Sequence, residues 1–330
     1  MRQCILFVME IDETPVVSVI IPTYNVAGFV GFAVQSALAQ TLRKIEVIVL
    51  DDGSTDGSPD VVRSFRDARL KLEVLPHRGP TWVLNDGFAR ARGRYCAILD
   101  GDDLWAPERL RKHVDYMDAH PEADLTFSLS RLIDESGADL GVTSRACKHP
   151  LSFRGLLKEN FVSNGSAVLV RRQAAECAGL FDTAMSACYD YDLWLRVALL
   201  RTSNIHCIPE ILTFYRRRAG QITKNWRLMQ AEASHLTEKF RRLRPEDVAS
   251  TERPRRSNLG RYLAAIAFDN AEYRTGLRLL WEGMKASPAD FLQNPRSYRV
   301  GAALAAGMIL PGQVLARLQC LSASRARPVS

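Results

Sequence analysis

The sequence predicts an α/β protein: a mostly parallel sheet flanked by helices, then a mixed half, then a helical C-terminal part. Three observations lead there. β-branched apolar runs alternate with helical stretches from about residue 16 to 120; those runs end in turn or acidic residues; and the alternation changes character past Pro121.

Taken in order, "VVSVIIPTYN" is a continuous β-branched run stopped at Pro22, the pattern of a strand buried on both faces. "IEVIVLDDGS", "LKLEVLP" and "GRYCAILDGDD" repeat it, with the helical stretches "FVGFAVQSALAQ", "SPDVVRSFR" and "TWVLNDGFARAR" between them. Ser58 followed by Pro59 reads as a helix cap and first helical residue, Gly93 as a stop, and Pro107 as the opening of "PERLRKHVDYMDAH". In an open parallel sheet, ligands sit beyond the carboxyl ends of the strands. Thr23 to Asn25, Asp51 to Ser54 and Asp100 to Asp103 should therefore meet in one cleft.

Past Pro121, "ADLTFSLSRLIDESGADLG" reads as a strand pair around a Ser-Gly turn and "SNGSAVLVRR" as a further strand. From Trp226 the pattern is helical, and "YLAAIAFDNAEYRTGLRLLWEGMKASP" predicts a helical hairpin broken near Asn270. The expected division is a flexible leader over 1–15, an α/β unit over 16–225 split at 120/121, and a helical extension over 226–330 ending in a disordered tail.

The chain has 330 residues, 47% of them hydrophobic and 25% charged, ample for a large core. No apolar run reaches the roughly 18 to 20 residues of a membrane-spanning helix, and the N-terminal stretch lacks a signal-peptide pattern, so a cytoplasmic location is expected. The seven cysteines are scattered, as reduced thiols would be. The net charge of +7 is modest and concentrated in "KFRRLRPED" and "ERPRRSNLGR", which argues against a nucleic-acid-binding domain.

"YCAILDGDDLWAP" brings Asp100, Asp102 and Asp103 to the end of an apolar run. Carboxylates so close repel one another unless a cation joins them, and hard oxygens suit Mg²⁺ or Mn²⁺ with substrate phosphates in the open positions. The bland alternative is a solvated acidic turn ahead of the helix at Pro107.

Together, "VSVIIPTYN", "VIVLDDGSTDGS", "LNDGFARARGRYCAILDGDDLWAP", "AGLFD", "YDYDLWLRVA" and "IPEILTFYRR" resemble, in order, the inverting nucleotide-sugar glycosyltransferases of family 2. That resemblance spans about Val17 to Arg216 and implies the GT-A fold, Rossmann-like with a mixed acceptor-side half. It also implies a metal-dependent transfer of a sugar from a nucleoside diphosphate sugar, a UDP-sugar first, to a saccharide or lipid-linked saccharide hydroxyl. By the same resemblance Pro22, Thr23 and Tyr24 contact base and ribose, Asp52 bonds the base while Asp51 caps the turn, and Asn85 and Gly87 run along the donor pocket. Asp100 lies toward the ribose, and Asp102 and Asp103 lie nearest a Mn²⁺ or Mg²⁺ ion. Asp190 takes the general-base position, Tyr189 standing where the family has Glu, while Asp192 is a helix-terminal carboxylate and Trp194 and Leu195 are packing residues. Arg216 and Arg218 are expected at the diphosphate, Arg218 occupying the place of a family His.

Three other readings compete with this one. A dinucleotide-dependent dehydrogenase needs a G-x-G-x-x-G turn that "PTYNVAGFVG" lacks. A sugar-phosphate nucleotidyltransferase needs a Gly-rich basic loop that is also missing. A catalytically degenerate nucleotide-sugar-binding or scaffold relative is prompted by Tyr189. The basic segments and the apolar "YRVGAALAAGMILPGQVLARL" further suggest peripheral docking on the inner face of the cytoplasmic membrane, with core packing as the competing fate.

Overall fold

In this computed structural model the described residues are 14–147, 150–202 and 204–310. The expected leader therefore falls almost entirely outside them, as do Pro311 and the tail. β1 (Val17–Thr23) divides its side chains between two apolar layers: Val17, Val19 and Ile21 enter one, Ile20 the other. That division is what a strand covered on both faces requires. β1 pairs in parallel with β2 (Ile45–Asp51) and with β4 (Tyr95–Ile98), and β3 (Leu70–Val74) lies parallel to β2 at the sheet's edge. Its "LKLEV" is only half-buried, and an edge strand carrying Lys71 and Glu73 resists pairing with another chain.

Helices α1 (Val30–Leu38), α2 (Ser58–Arg63) and α4 (Arg109–Ala119) contribute to the layer containing Val19, and α3 (Pro80–Arg90) to the opposite one. α3 presses close to β1, because a Cβ on Gly87 would stand 2.5 Å from Ile20 Cγ2. Gly87 is thus a helix-packing residue. Two expected helix signals differ in detail. α3 ends at Arg90, ahead of Gly93, whose missing side chain instead admits the Ser18 amide, 2.6 Å from a notional Cβ. Ser58 begins α2 rather than capping it; Gly57, at φ 85°, precedes the helix. The Ser58 hydroxyl donates to Asp56 and accepts from the Val26 amide, tying the loop after β2 to the loop after β1.

The sheet continues through β8 (Val168–Arg171), antiparallel to both β4 and β6 (Leu125–Ile133), then β9 (Ile205–Arg216), parallel to β6, and ends at β5 (Leu104–Trp105). β7 (Asp139–Thr143) pairs with β6 across the predicted turn, where the Asp134 carboxylate accepts from the Ser136 and Ala138 amides and Gly137 takes φ 89°. The sense of the strands therefore reverses at the β4–β8 pair, beside the acidic loop.

Three short or medium helices follow: α5 (Phe153–Lys158), α6 (Arg172–Cys177) and α7 (Tyr189–Leu200). Beyond them come α8 (Trp226–Leu243), α9 (Pro245–Asp269), α10 (Tyr273–Ala286), α11 (Pro288–Gln293) and α12 (Pro295–Ile309). α9 gives way to α10 where the hairpin break was expected. The two cross closely because both carry glycine: a Cβ on Gly260 would lie 2.8 Å from the Gly283 Cα. These helices do not form a core of their own. Leu236, Phe240, Leu263 and Leu304 join the cluster that holds Leu156 and Trp194, with the Phe153 and Phe240 rings 5.5 Å apart. Among the described residues no helix is long and apolar enough to cross a membrane, and Cys96, Cys177 and Cys188 are free thiols.

Candidate active site

The loops after β1 and β2 are stitched together by their own polar side chains. Thr23, buried, donates to Asp51 Oδ2, whose other oxygen accepts from the Ser54 amide, so Asp51 caps its turn. Asn25, at φ 51°, accepts from the Thr55 amide, and Asp56 accepts from Ala27. Tyr24 is left exposed, stacked on His77 with ring centroids 4.3 Å apart. Asp52 is 4% exposed and receives the Arg78 and Gly79 amides at 2.8 and 2.9 Å and the His77 ring at 2.9 Å. Its carboxylate thus holds the 77–79 loop against β2, next to the Tyr24–His77 stack. Pro22 sits in β1 opposite Leu50.

Asn85 has a different setting from the one its motif suggests. Its amide exchanges two hydrogen bonds of 2.9 Å with the Phe181 backbone, so it fastens α3 to the "AGLFD" loop instead of presenting that amide to a ligand.

The acidic loop leaves β4 through Asp100, whose amide donates to Ser166 Oγ at 3.0 Å. Gly101 is required next: a Cβ there would stand 2.9 Å from Thr23 Cγ2, which ties this loop to the first. Burial, with the charges of Asp102 and Asp190, pushes the Asp100 carboxyl up to about 7. Burial and the charges of Asp102 and Asp100 hold Asp103 well above the carboxylate range. Asp103 Oδ1 accepts from the Arg216 amide at 2.8 Å, while its buried Oδ2 has no hydrogen-bond partner. Asp102 receives the Arg218 guanidinium at 2.5 Å.

The two arginines thus separate. Arg216 is 3% exposed, with Nε on the Asp102 carbonyl and Nη1 on the carbonyls of Asp134 and Glu135. It is a tie between the acidic loop and the β6–β7 turn, and that corrects its expected place at the diphosphate. Arg218 is the one that faces the acids.

Asp190 lies in the first turn of α7, where helix polarity favours a carboxylate, and accepts from the Tyr191 amide at 2.7 Å. Burial nonetheless raises its carboxyl to about 6. Asp190, Tyr189 and Asp100 line one cavity of about 1020 Å³. Tyr189 packs edge-on against Phe181, and burial holds its phenol well above the usual range, so a neutral group stands beside Asp190. Asp192 is fully buried between Arg196 and Lys239, at 2.7 and 2.9 Å, and Trp194 and Leu195 are core residues, as expected.

Just ahead of α7, Glu232 of α8 accepts from the amides of Ser186, Ala187 and Cys188 and from the Ser186 hydroxyl, at 2.8 to 2.9 Å. Glu232 was invisible in the sequence, where it is one more charge on an amphipathic helix. The stretch "SNGS" reads as the start of a strand, yet it supplies both Ser166 and Asn164, the latter lining the cavity.

A divalent cation is implied at the acidic loop. Among the described residues no group of three or more His, Cys, Asp or Glu can enclose a metal alone. The residues fit an ion completed by substrate oxygens: the donors are hard carboxylates, two of them pushed up by burial and by neighbouring acids, and Asp103 Oδ2 is buried without a partner.

The family model described as Glycosyl transferase family 2 matches residues 18–179. An uncharacterized glycosyltransferase of Rickettsia prowazekii is 31% identical over 223 residues, 66% of this chain and 69% of the relative. Among solved structures, Staphylococcus aureus TarS 1-349 in complex with UDP-GlcNAc superposes with a TM-score of 0.57 at 17% identity, covering 93% of this chain and 90% of that one. The mannosyltransferase PcManGT of Pyrobaculum calidifontis, in complex with GDP-Man and Mn²⁺, gives 0.57 at 20% identity over 94% and 86%. The chain shares the GT-A fold of these neighbours.

Proposed function

Because the chain belongs to glycosyltransferase family 2 and is a glycosyltransferase, we propose that it moves a sugar, with inversion, from a nucleoside diphosphate donor to a hydroxyl of a saccharide or lipid-linked saccharide. A UDP-sugar is the proposed donor. The observation that carries this reading is that Asp190, raised to about 6 by burial, shares one cavity with the acidic loop. Near pH 7 such a carboxylate is mostly ionised and still basic enough to take a hydroxyl proton. In the reaction the acceptor oxygen gives its proton to Asp190 and bonds the anomeric carbon. The bond from that carbon to the diphosphate oxygen breaks on the opposite face.

The base and ribose are assigned to Pro22, Thr23, the Tyr24–His77 stack and Asp52 with the 77–79 loop, Asp100 lying toward the ribose. Asp102 and Asp103 would hold a Mn²⁺ or Mg²⁺, which when bound neutralises charge on the departing diphosphate. Arg218, already on Asp102, adds a guanidinium suited to phosphate oxygens. Binding of GDP-Man and Mn²⁺ by a neighbour of the same fold supports the metal, and Tyr298, Met308 and Ile309 exposed on α12 support contact with a membrane surface that carries the acceptor.

The test is release of nucleoside diphosphate across a panel of UDP- and GDP-sugars and acceptors, with Mn²⁺, Mg²⁺ or chelator. Turnover that Asp190→Asn abolishes while UDP binding persists supports the reading; equal turnover by that variant removes Asp190 from the base role. The second reading, a nucleotide-sugar binder without turnover, rests on the neutral Tyr189 beside Asp190. It predicts UDP binding with no release from any donor.

A further inference from the structure

The cavity that Asp190 and Asp100 enter is walled elsewhere by arginine. Arg145, in the loop after β7, and Arg261, Arg296 and Arg299 from α9 and α12 line it together, with Leu157 and Val300 among them. Their compensation is thin. Glu159 is shared between Arg145 at 2.9 Å and Arg296 at 3.3 Å. Arg261, 5% exposed, spends its donors on neutral partners, Ser297 Oγ at 3.1 Å and Asn258 Oδ1. The Arg299 side chain is exposed, and its guanidinium makes no ion pair or hydrogen bond among the described residues. Of the other acids on the wall, Asp269 pairs with Arg217, and Asp100 and Asp190 belong to the site already described.

At this end of the cavity four guanidiniums, that of Arg261 buried, that of Arg296 half-buried and those of Arg145 and Arg299 exposed, thus face one carboxylate. Burial, then the charges of Arg296 and Arg145, pull Arg261 below the usual arginine range, and burial with Arg145 and Arg299 does the same to Arg296. Gathering cations out of water costs free energy unless an anion joins them. A planar guanidinium matches the oxygens of phosphate in a two-point contact, and several such forks favour phosphate over a lone carboxylate.

We infer that the arginine end of this cavity is an anion site that receives a phosphate group carried by the acceptor. This deepens the transferase reading and rests on it for the word acceptor. The phosphate anchors the molecule at one end of the cavity, Leu157 and Val300 give its neutral part an apolar wall, and the hydroxyl to be glycosylated reaches toward Asp190. Neither the motifs of the α/β half nor the donor chemistry requires such a site, since its residues come from the loop after β7 and from the C-terminal helices.

The experiment is calorimetry on the full chain saturated with UDP and Mg²⁺, so that the donor site is filled, titrated separately with glucose 1-phosphate and farnesyl phosphate. Each probe should bind, and Arg296→Gln and Arg299→Gln should each weaken it roughly tenfold, as loss of a charge-assisted hydrogen bond does. Arg299→Lys should recover part of the loss. Arg299 is exposed, so its variants test the site without disturbing the fold. Tighter binding of farnesyl phosphate marks a lipid-borne phosphate, and equal binding a soluble one. Absence of binding by both probes, or binding indifferent to the Arg296 and Arg299 substitutions, overturns the proposal. A failure of the donor reading shows separately: UDP itself would not bind, while arginine-dependent binding of the probes to the unliganded protein would persist.

Discussion

The two charged ends of the cavity solve the same problem in opposite ways. At the acid end three aspartates sit within four residues, supplied by one loop; burial and then their mutual repulsion raise the Asp100 and Asp103 carboxyls, and one Asp103 oxygen is left without a partner. At the arginine end the like charges come from three places far apart in the chain and share a single glutamate. One end collects charge by local sequence, the other by folding. A local cluster is held by the turn that makes it, whereas a dispersed one depends on how the C-terminal helices pack.

The strongest way to break this comparison is at Asp190, which the acids touch electrostatically and the arginines do not. Asp190→Asn should lower kcat by about 10² to 10⁴, the usual worth of a general base, and leave UDP affinity unchanged by calorimetry. In the wild type, transfer should rise with pH through about 6 and level off above it, because the carboxyl must lose its proton to accept another. A flat profile from pH 5 to 8 would assign the proton elsewhere.

Glu232→Ala comes next. It removes one carboxylate from three amides and a hydroxyl just ahead of α7. Misplacing Asp190 by a fraction of an ångström should cost roughly tenfold or more in kcat, with donor KM unchanged. If KM rises and kcat holds, Glu232 shapes the pocket instead of positioning α7.

A smaller effect runs the other way. Asp100 has its folded-state pKa raised to about 7 against about 3.9 in an unfolded chain. Its contribution to stability is fully present below pH 4 and is lost as pH rises through 7, so at pH 8 the ionised group opposes folding. Asp100→Asn should therefore raise Tm at pH 8, by about 2–4 °C for each kcal/mol relieved, with the gain shrinking toward pH 5. Equal Tm values at both pH values would mean that the neighbouring charge is already compensated. The least effect is expected at Arg218→Ala: freeing Asp102 should strengthen Mn²⁺ binding without nucleotide a few-fold, while UDP binding weakens, since the ion pair it removes is worth about 1 kcal/mol at such partial exposure. Unchanged Mn²⁺ affinity would show that the arginine does not compete for the aspartate.

The same contrast explains what could be read without coordinates. The parallel half was legible because each strand is a short β-branched run ending in polar residues. The acids were legible because D-x-D-D is contiguous, and Asp190 because its motif is local. The resemblance implies Arg216 and Arg218 together at the diphosphate, yet β9 carries one into the core and leaves the other over Asp102. Asn85 gave no hint that Phe181, 96 residues on, would consume its amide. Nor did Arg145 hint at Arg261 and Arg296, because nothing in a helical pattern says which distant loop its polar face will meet.

Glu232 carries one more implication. The residue that fastens the backbone before α7 belongs to the first helix of the C-terminal region, so that region is no interchangeable cassette. A chimera joining this α/β half to another relative's helices would inherit a loosened Asp190 unless an equivalent acceptor came with the graft.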